Sequence, residues 1–302
     1  MKILLLGKNG QVGWELQRAL QPLGEVIALD RYVNEVGLCG DIANFATMEQ
    51  TLSSIKPDIV INATAYTAVD KAESEPEQAD LVNHLAVQSL AEQCKQRQAL
   101  LIHYSTDYVF NGEGHIPWRE DDATAPQNVY GQSKRKGEIA LEHSNVNFIN
   151  FRTSWVYAAQ GNNFIKTMLK LAKSKDELSI IADQIGAPTS AALIADITAQ
   201  AIRYYRLQST EQQKILHGHY HLAAAGETSW FDYANYIFEQ AKACGLELQL
   251  QHVHAIATAA YPTPAKRPLN SRLNTLKLQQ NFQLHLPMWQ QGVAQVIKEI
   301  IQ

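Results

Sequence analysis

The chain has 302 residues, enough to bury a full core and to form two structural parts, and it carries a formal net charge of −4. Without a basic run, that balance excludes nucleic acid as a partner. Three scattered cysteines, Cys39, Cys94 and Cys244, offer neither a disulfide framework nor zinc spacing and fit a reducing cytoplasm, and no apolar stretch is long enough to span a membrane.

Lys2 to Leu6 is an apolar run without polar alternation, as expected for a strand buried on both faces of a parallel sheet. It is too short for a signal peptide, and Gly7 ends it. Gly7, Gly10 and Gly13 follow, and Val12, Leu16, Ala19 and Leu20 then recur at helical spacing. Strand, glycine turn and helix form the context of a dinucleotide site. Glycines let the backbone approach a pyrophosphate, and a helix N-terminus offers free N–H groups. The spacing, Gly-x2-Gly-x2-Gly, departs from the usual Gly-x-Gly-x2-Gly. A second strand, Glu25 to Asp30, ends in an acid suited to a ribose 2′-hydroxyl. Arg31 beside it suits a 2′-phosphate instead, so NADH and NADPH both stay open.

The pattern then repeats. Asp58 to Asn62 reads as a strand leading to the small residues around Ala65, Tyr66 and Thr67. Glu77 to Cys94 reads as a helix, Leu100 to Tyr104 as a strand ending at Ser105, Thr106 and Asp107, and Asn145 to Phe151 as another strand. Alternating strands and helices predict an α/β fold with a doubly wound, Rossmann-like parallel sheet. Ligands of such sheets bind beyond the carboxyl ends of the strands, where Gly7, Asp30, Ala65 and Thr106 lie. Residues 1–153 are read as the dinucleotide-binding domain, with part of 180–220 returning to it. Residues 154–302 are read as a smaller, interleaved, mainly substrate-binding domain.

Tyr130 and Lys134 stand one turn apart on a helix expected from Tyr130 to about His143. Free tyrosine, with a pKa of about 10, shuttles protons poorly at neutral pH, and a nearby ammonium lowers that value. Thr106 can donate to a substrate carbonyl. Together these groups point to hydride transfer to or from a carbonyl.

The second half is less regular. Trp155 is read as a ring for stacking or packing. His217, His219 and His221 would share a strand face, but no Cys or acid cluster accompanies them, so they are read as the approach to a strand at Tyr220 to Leu222. Trp230, Phe231, Tyr233, Tyr236, Ile237 and Phe238 read as a core-packing amphipathic helix. Pro262 to Pro268 reads as an ordered basic loop, in which Lys266 and Arg267, with Arg272 beyond, suit a diphosphate.

Several segments carry a resemblance. They are the glycine turn, residues 68–73, Ser105 to Phe110, Tyr130-x3-Lys134, Arg152 to Tyr157 and Arg267 to Leu273. On these the chain resembles the extended short-chain dehydrogenase/reductases, and among them the branch that completes dTDP-L-rhamnose for polysaccharide (O-antigen) synthesis. The resemblance implies reduction by NADPH or NADH of the C4 keto group of a dTDP-sugar. Tyr130 would give the proton, Lys134 would tune it and hold the cofactor ribose, and Thr106 would polarise the carbonyl. Gly10, Gln11 and Val12 would meet the pyrophosphate, Asp30 the ribose, and Asp41 and Ile42 the adenine. Ala65, Tyr66, Thr67 and Tyr104 would line the dinucleotide, and Thr106, Asp107 and Trp155 would touch the nucleotide-sugar. Dehydratases of similar sequence carry a glutamate after the aspartate, where this chain has Tyr108, which argues for plain reduction.

Some relatives hold magnesium through glutamates at a homodimer contact. Here Glu15 is a candidate ligand, but Gly186 to Ala192 offers no glutamate partner, and a hard cation needs several oxygens. The competing readings are an epimerase or reductase for another nucleotide 4-keto sugar, and a non-catalytic regulatory subunit on the same scaffold.

Overall fold

In the computed structural model, which describes all 302 residues, the strands are β1 (Lys2–Leu6), β2 (Glu25–Leu29), β3 (Ile59–Asn62), β4 (Leu100–Thr106), β5 (Phe148–Thr153) and β6 (Gly218–His221). They form one sheet in the order β6-β5-β4-β3-β1-β2, parallel throughout. The fold is thus a Rossmann-like α/β sheet flanked by helices. Strand side chains alternate between faces. Ile3, Leu5, Ile59 and Ile61 enter one core with α1 (Gln11–Ala19) and α6 (Ala191–Leu207). Leu4, Leu6, Val60 and Leu101 enter the other, with α2 (Phe45–Ile55), α3 (Ala86–Gln96) and α4 (Val129–Ser144). This two-sided burial explains why the strands read as unbroken apolar runs.

A third core lies outside the sheet, among α5 (Phe164–Ala172), α7 (Trp230–Ala243) and α8 (Trp289–Ile301). Beside it the strands Glu177–Ile181 and His252–Ile256 pair in parallel. The chain leaves the sheet after β5, returns through α6 and β6, and leaves again, which interleaves the two parts.

Two boundaries differ from the sequence reading. The strand expected at 145–151 is displaced to Phe148–Thr153, because Asn145 takes a left-handed φ of 57° and closes α4. The helix expected from Glu77 is interrupted: Pro76–Asp80 passes through a π turn, Leu81–Leu85, before α3 begins. His217, His219 and His221 do not converge. His217 Nε2 meets the Tyr205 hydroxyl at 3.0 Å, His219 Nε2 meets Glu142 at 3.0 Å, and His221 Nδ1 meets the Trp118 carbonyl at 3.0 Å.

Candidate active site

The strand order reverses between β1 and β3, and a cleft of about 1170 Å³ opens beyond the carboxyl ends of these strands and their neighbours. Gly7, at φ +88°, turns the chain out of β1, and a Cβ there would come within 2.9 Å of the Ala63 carbonyl oxygen. At Gly13 a Cβ would lie 2.0 Å from the Gly7 carbonyl oxygen. Gly13 therefore seats α1 against the turn and does not itself line the cleft, whereas Gly7, Gly10, Gln11 and Val12 do. No side chain caps the start of α1, and its first turn carries no acid. Its free N–H groups stay open for an anion, which fits a pyrophosphate.

Asp30 stands at the end of β2. It accepts from the Tyr32 backbone N–H at 2.9 Å and from Asn9 Nδ2 at 2.9 Å, with Lys8 Nζ 3.5 Å away. The Tyr32 N–H bond is the chief cause of its lowered pKa. Asp41, Ile42, Ala65, Tyr66 and Thr67 complete this half of the cleft. Asn83, absent from the sequence reading, holds it in shape. From the π turn its Oδ1 accepts from the Tyr66 N–H at 2.9 Å, and its Nδ2 donates to the Tyr66 carbonyl and to Ser133 Oγ, both at 3.0 Å. A π turn often marks a functional site. Its only sequence signal is an Asn buried in an apolar helical register.

Tyr104, Thr106, Asp107, Tyr130, Lys134 and Trp155 form the inner end. Asn128 caps α4 by accepting from the Gly131 N–H at 2.7 Å, and one turn of that helix sets Tyr130 beside Lys134. Burial pushes the Tyr130 hydroxyl up to about 12, against a hydrogen bond with Thr106 that pulls it down. Lys134 is not turned toward Tyr130. Its Nζ donates to the Tyr104 carbonyl at 2.6 Å and lies 3.3 Å from His103 Nε2, and burial brings it down to about 8. Asp107 is 2% exposed and is pushed by burial up to about 6. Its Oδ2 has no partner, nor do the buried hydroxyls of Thr153 and Ser154 nearby. Orphaned polar atoms lining a cleft are acceptors and donors for a polar ligand.

Trp155 takes a left-handed φ of 49° and stacks on Trp230 with ring centroids 3.7 Å apart. Arg267 and Arg272 do not line the cleft. Arg267 Nη2 donates to Asp70 Oδ2 at 2.6 Å, and Arg272 Nε donates to Glu227 Oε2 at 2.6 Å. Glu15 faces Arg18 at 3.8 Å, and no group of three or more His, Cys, Asp or Glu side chains is arranged to hold a metal.

Residues 1–302 match the model of the family described as RmlD substrate binding domain. A dTDP-4-dehydrorhamnose reductase of Escherichia coli K12 is 55% identical over 300 residues, covering 99% of this chain and 98% of that one. Among solved structures, a dTDP-4-dehydrorhamnose reductase of Bacillus anthracis in complex with NADP superposes with a TM-score of 0.87 at 33% identity, covering 99% of both chains. The ortholog from Clostridium acetobutylicum gives the same TM-score at 34% identity and full coverage of both. On this full-length match, on a cleft at the switch point of the sheet and on the Thr106, Tyr130 and Lys134 set within it, the chain belongs to the dTDP-4-dehydrorhamnose reductase family.

Proposed function

We propose that the protein reduces the C4 keto group of dTDP-4-dehydro-6-deoxy-L-mannose to give dTDP-L-rhamnose, using NADPH or NADH. The observation that carries this reading is that Thr106, Tyr130 and Lys134 line one cleft together with an uncapped helix N-terminus. The names of the relatives and the NADP in a similar structure support it. Lys8 beside Asp30 and Arg31 next to it offset the acid, which suits either cofactor.

When bound, the reduced nicotinamide supplies the hydride. The protein's part is to orient the carbonyl and to deliver a proton. Thr106 donates a hydrogen bond to the keto oxygen. Tyr130, held in its acid form by burial, keeps its proton until charge develops on that oxygen and then gives it up. Lys134, once turned from the Tyr104 carbonyl, stabilises the phenolate left behind. Asp107, Ser154 and Trp155 border the space beside these groups and would meet the sugar nucleotide.

The test is to mix the purified protein with this sugar nucleotide and NADPH or NADH and follow the nicotinamide absorbance. One equivalent of cofactor should be oxidised per sugar. Tyr130→Phe should lower kcat by about 10²–10⁴-fold with cofactor Kd nearly unchanged. Cofactor binding without oxidation would overturn the assignment. Sugar conversion without net oxidation would assign the protein as an epimerase.

A further inference from the structure

Asn62, His103 and Lys134 form a buried side-chain chain linking β3, β4 and α4, each no more than 2% exposed. The direction of every hydrogen bond in it is set from one end. The Thr64 backbone N–H can only donate, and it donates to Asn62 Oδ1 at 3.1 Å. The Thr64 hydroxyl donates to the same oxygen at 2.6 Å. Asn62 therefore turns its NH₂ toward His103, with Nδ2 3.2 Å from Nδ1. An amide nitrogen offers no lone pair, so Nδ1 is the acceptor and the imidazole proton sits on Nε2.

Nε2 faces Lys134 Nζ at 3.3 Å. An ammonium has three donors and no acceptor, so a charged Lys134 here would set N–H against N–H. Moving the imidazole proton to Nδ1 transfers the same conflict to Asn62, and an imidazolium creates it at both ends. A neutral amine resolves it. It accepts from Nε2–H and still donates to the Tyr104 carbonyl. Unpaired polar contacts are costly in so dry a place.

The other charged or titratable groups around the chain are Tyr130 and Glu138 on α4, Tyr104 on β4, Asp107 just past β4, Arg152 on β5 and His219 on β6. Glu138 attracts the ammonium, but it is already bound by Arg152 through two bonds of 2.8 and 2.9 Å. Burial, then Lys134 and His219, keeps His103 well below the usual histidine range and so neutral.

We propose that Asn62 and His103 are positioning residues that park Lys134 as a neutral amine in the cofactor-free protein at alkaline pH, and that cofactor binding draws it out as an ammonium with uptake of a proton from solvent. The proposal rests on the reading that a dinucleotide fills this cleft. Ribose hydroxyl oxygens would replace His103 as partners for Nζ, and they can accept from an ammonium. The latch ties the charge of Lys134 to the presence of cofactor.

The experiment is calorimetric titration of the full-length protein with NADPH at pH 9 and pH 7.5, each in two buffers of different ionisation enthalpy. Uptake should approach one proton per NADPH at pH 9 and be several-fold smaller at pH 7.5. In Asn62→Asp, one carboxylate oxygen keeps the Thr64 bonds and the other accepts from Nδ1–H. The tautomer reverses, Nε2 accepts from a charged Lys134, and uptake at pH 9 should fall at least threefold. Should that variant not fold, ¹⁵N spectra of the wild-type histidines decide: His103, identified by its loss in His103→Gln, should be the Nε2–H tautomer. Normal binding heat without proton uptake at pH 9, unchanged uptake in Asn62→Asp, or an Nδ1–H His103 would overturn the latch. Absence of binding heat with both NADPH and NADH, in both buffers, would overturn the cofactor reading itself, and the latch with it.

Discussion

The sheet side of the cleft and the segment 262–272 outside it hold their polar groups by different means. On the side built from β3, β4, β5 and α4, the polar groups in and behind the cleft lining are held by buried partners. Asn83 grips Tyr66 by both backbone atoms, and Glu138 grips Arg152 by both oxygens. On the segment 262–272, outside the cleft, the cationic groups are tied to half-exposed carboxylates, Arg267 to Asp70 and Arg272 to Glu227. The first arrangement suits groups whose position must not change during proton transfer. The second suits groups that exchange partners, because surface pairs contribute little and are screened by salt.

The difference is broken most severely at Glu138, which is 0% exposed and stands two turns along α4 from Tyr130. Burial alone would raise its pKa, but Arg152 outweighs this and brings it down to about 2. A depressed carboxylate contributes stability that is present above its unfolded pKa and is lost as pH falls through the folded one, here from about 4.5 toward about 2. Glu138→Gln leaves Arg152 buried and half-paired, and unfolding in urea should show a loss of about 3–5 kcal/mol at pH 7. The double variant Glu138→Met with Arg152→Met should recover most of that, since well-packed apolar groups replace buried pairs at little cost. If the pair also sets the rotation of α4, kcat should stay low in the recovered double variant. Full activity there would restrict the pair to stability.

Which side of this comparison could be read from the sequence follows from locality. Gly7, Asp30, Thr106, Tyr130 and Lys134 belong to strand ends and to one helical turn, so spacing alone gathered them. Asn83 and His103 are single polar residues within apolar elements and carry no spacing signal. Their roles depend on Tyr66, Asn62 and Lys134, which lie 17 to 41 positions away. Glu138 lies only 14 positions from Arg152, but nothing before folding marks it as buried. For Arg267 and Arg272, composition suggested a diphosphate, yet it could not reveal that carboxylates 197 and 45 positions away already bond them.

Asp107 makes a smaller break, on the rigid side. Burial lifts its carboxyl from 3.8 to about 6. A raised acid binds its proton more tightly in the folded state, so its ionisation destabilises the fold as pH rises from about 4 through 6. A rise of that size bounds the cost at about 3 kcal/mol. Asp107→Asn should thus be more stable than the wild type at pH 7.5 and indistinguishable from it at pH 4, with a raised KM if its orphaned Oδ2 serves the substrate. A stability difference that does not change between those pH values would refute the buried-acid account.

The smallest effect is expected on the exchangeable segment. The Arg272 side chain is 13% exposed and its partner Glu227 58% exposed, so the ion pair itself contributes less than about 1 kcal/mol to stability. Arg272 has a further bond, from Nη1 to Asn270 Oδ1 at 3.1 Å, which holds its guanidinium in place without the carboxylate. Glu227→Gln should therefore leave Tm within about 2 °C. It should lower KM for the sugar nucleotide a few-fold at low ionic strength if Arg272 trades Glu227 for a diphosphate, with kcat unchanged and the gain fading as salt is added. Arg272→Ala should raise KM in the same assay. An unchanged KM in both variants would mean that Arg272 serves only to tie the 262–272 segment to the loop ahead of α7, and that the diphosphate is met by backbone N–H groups instead.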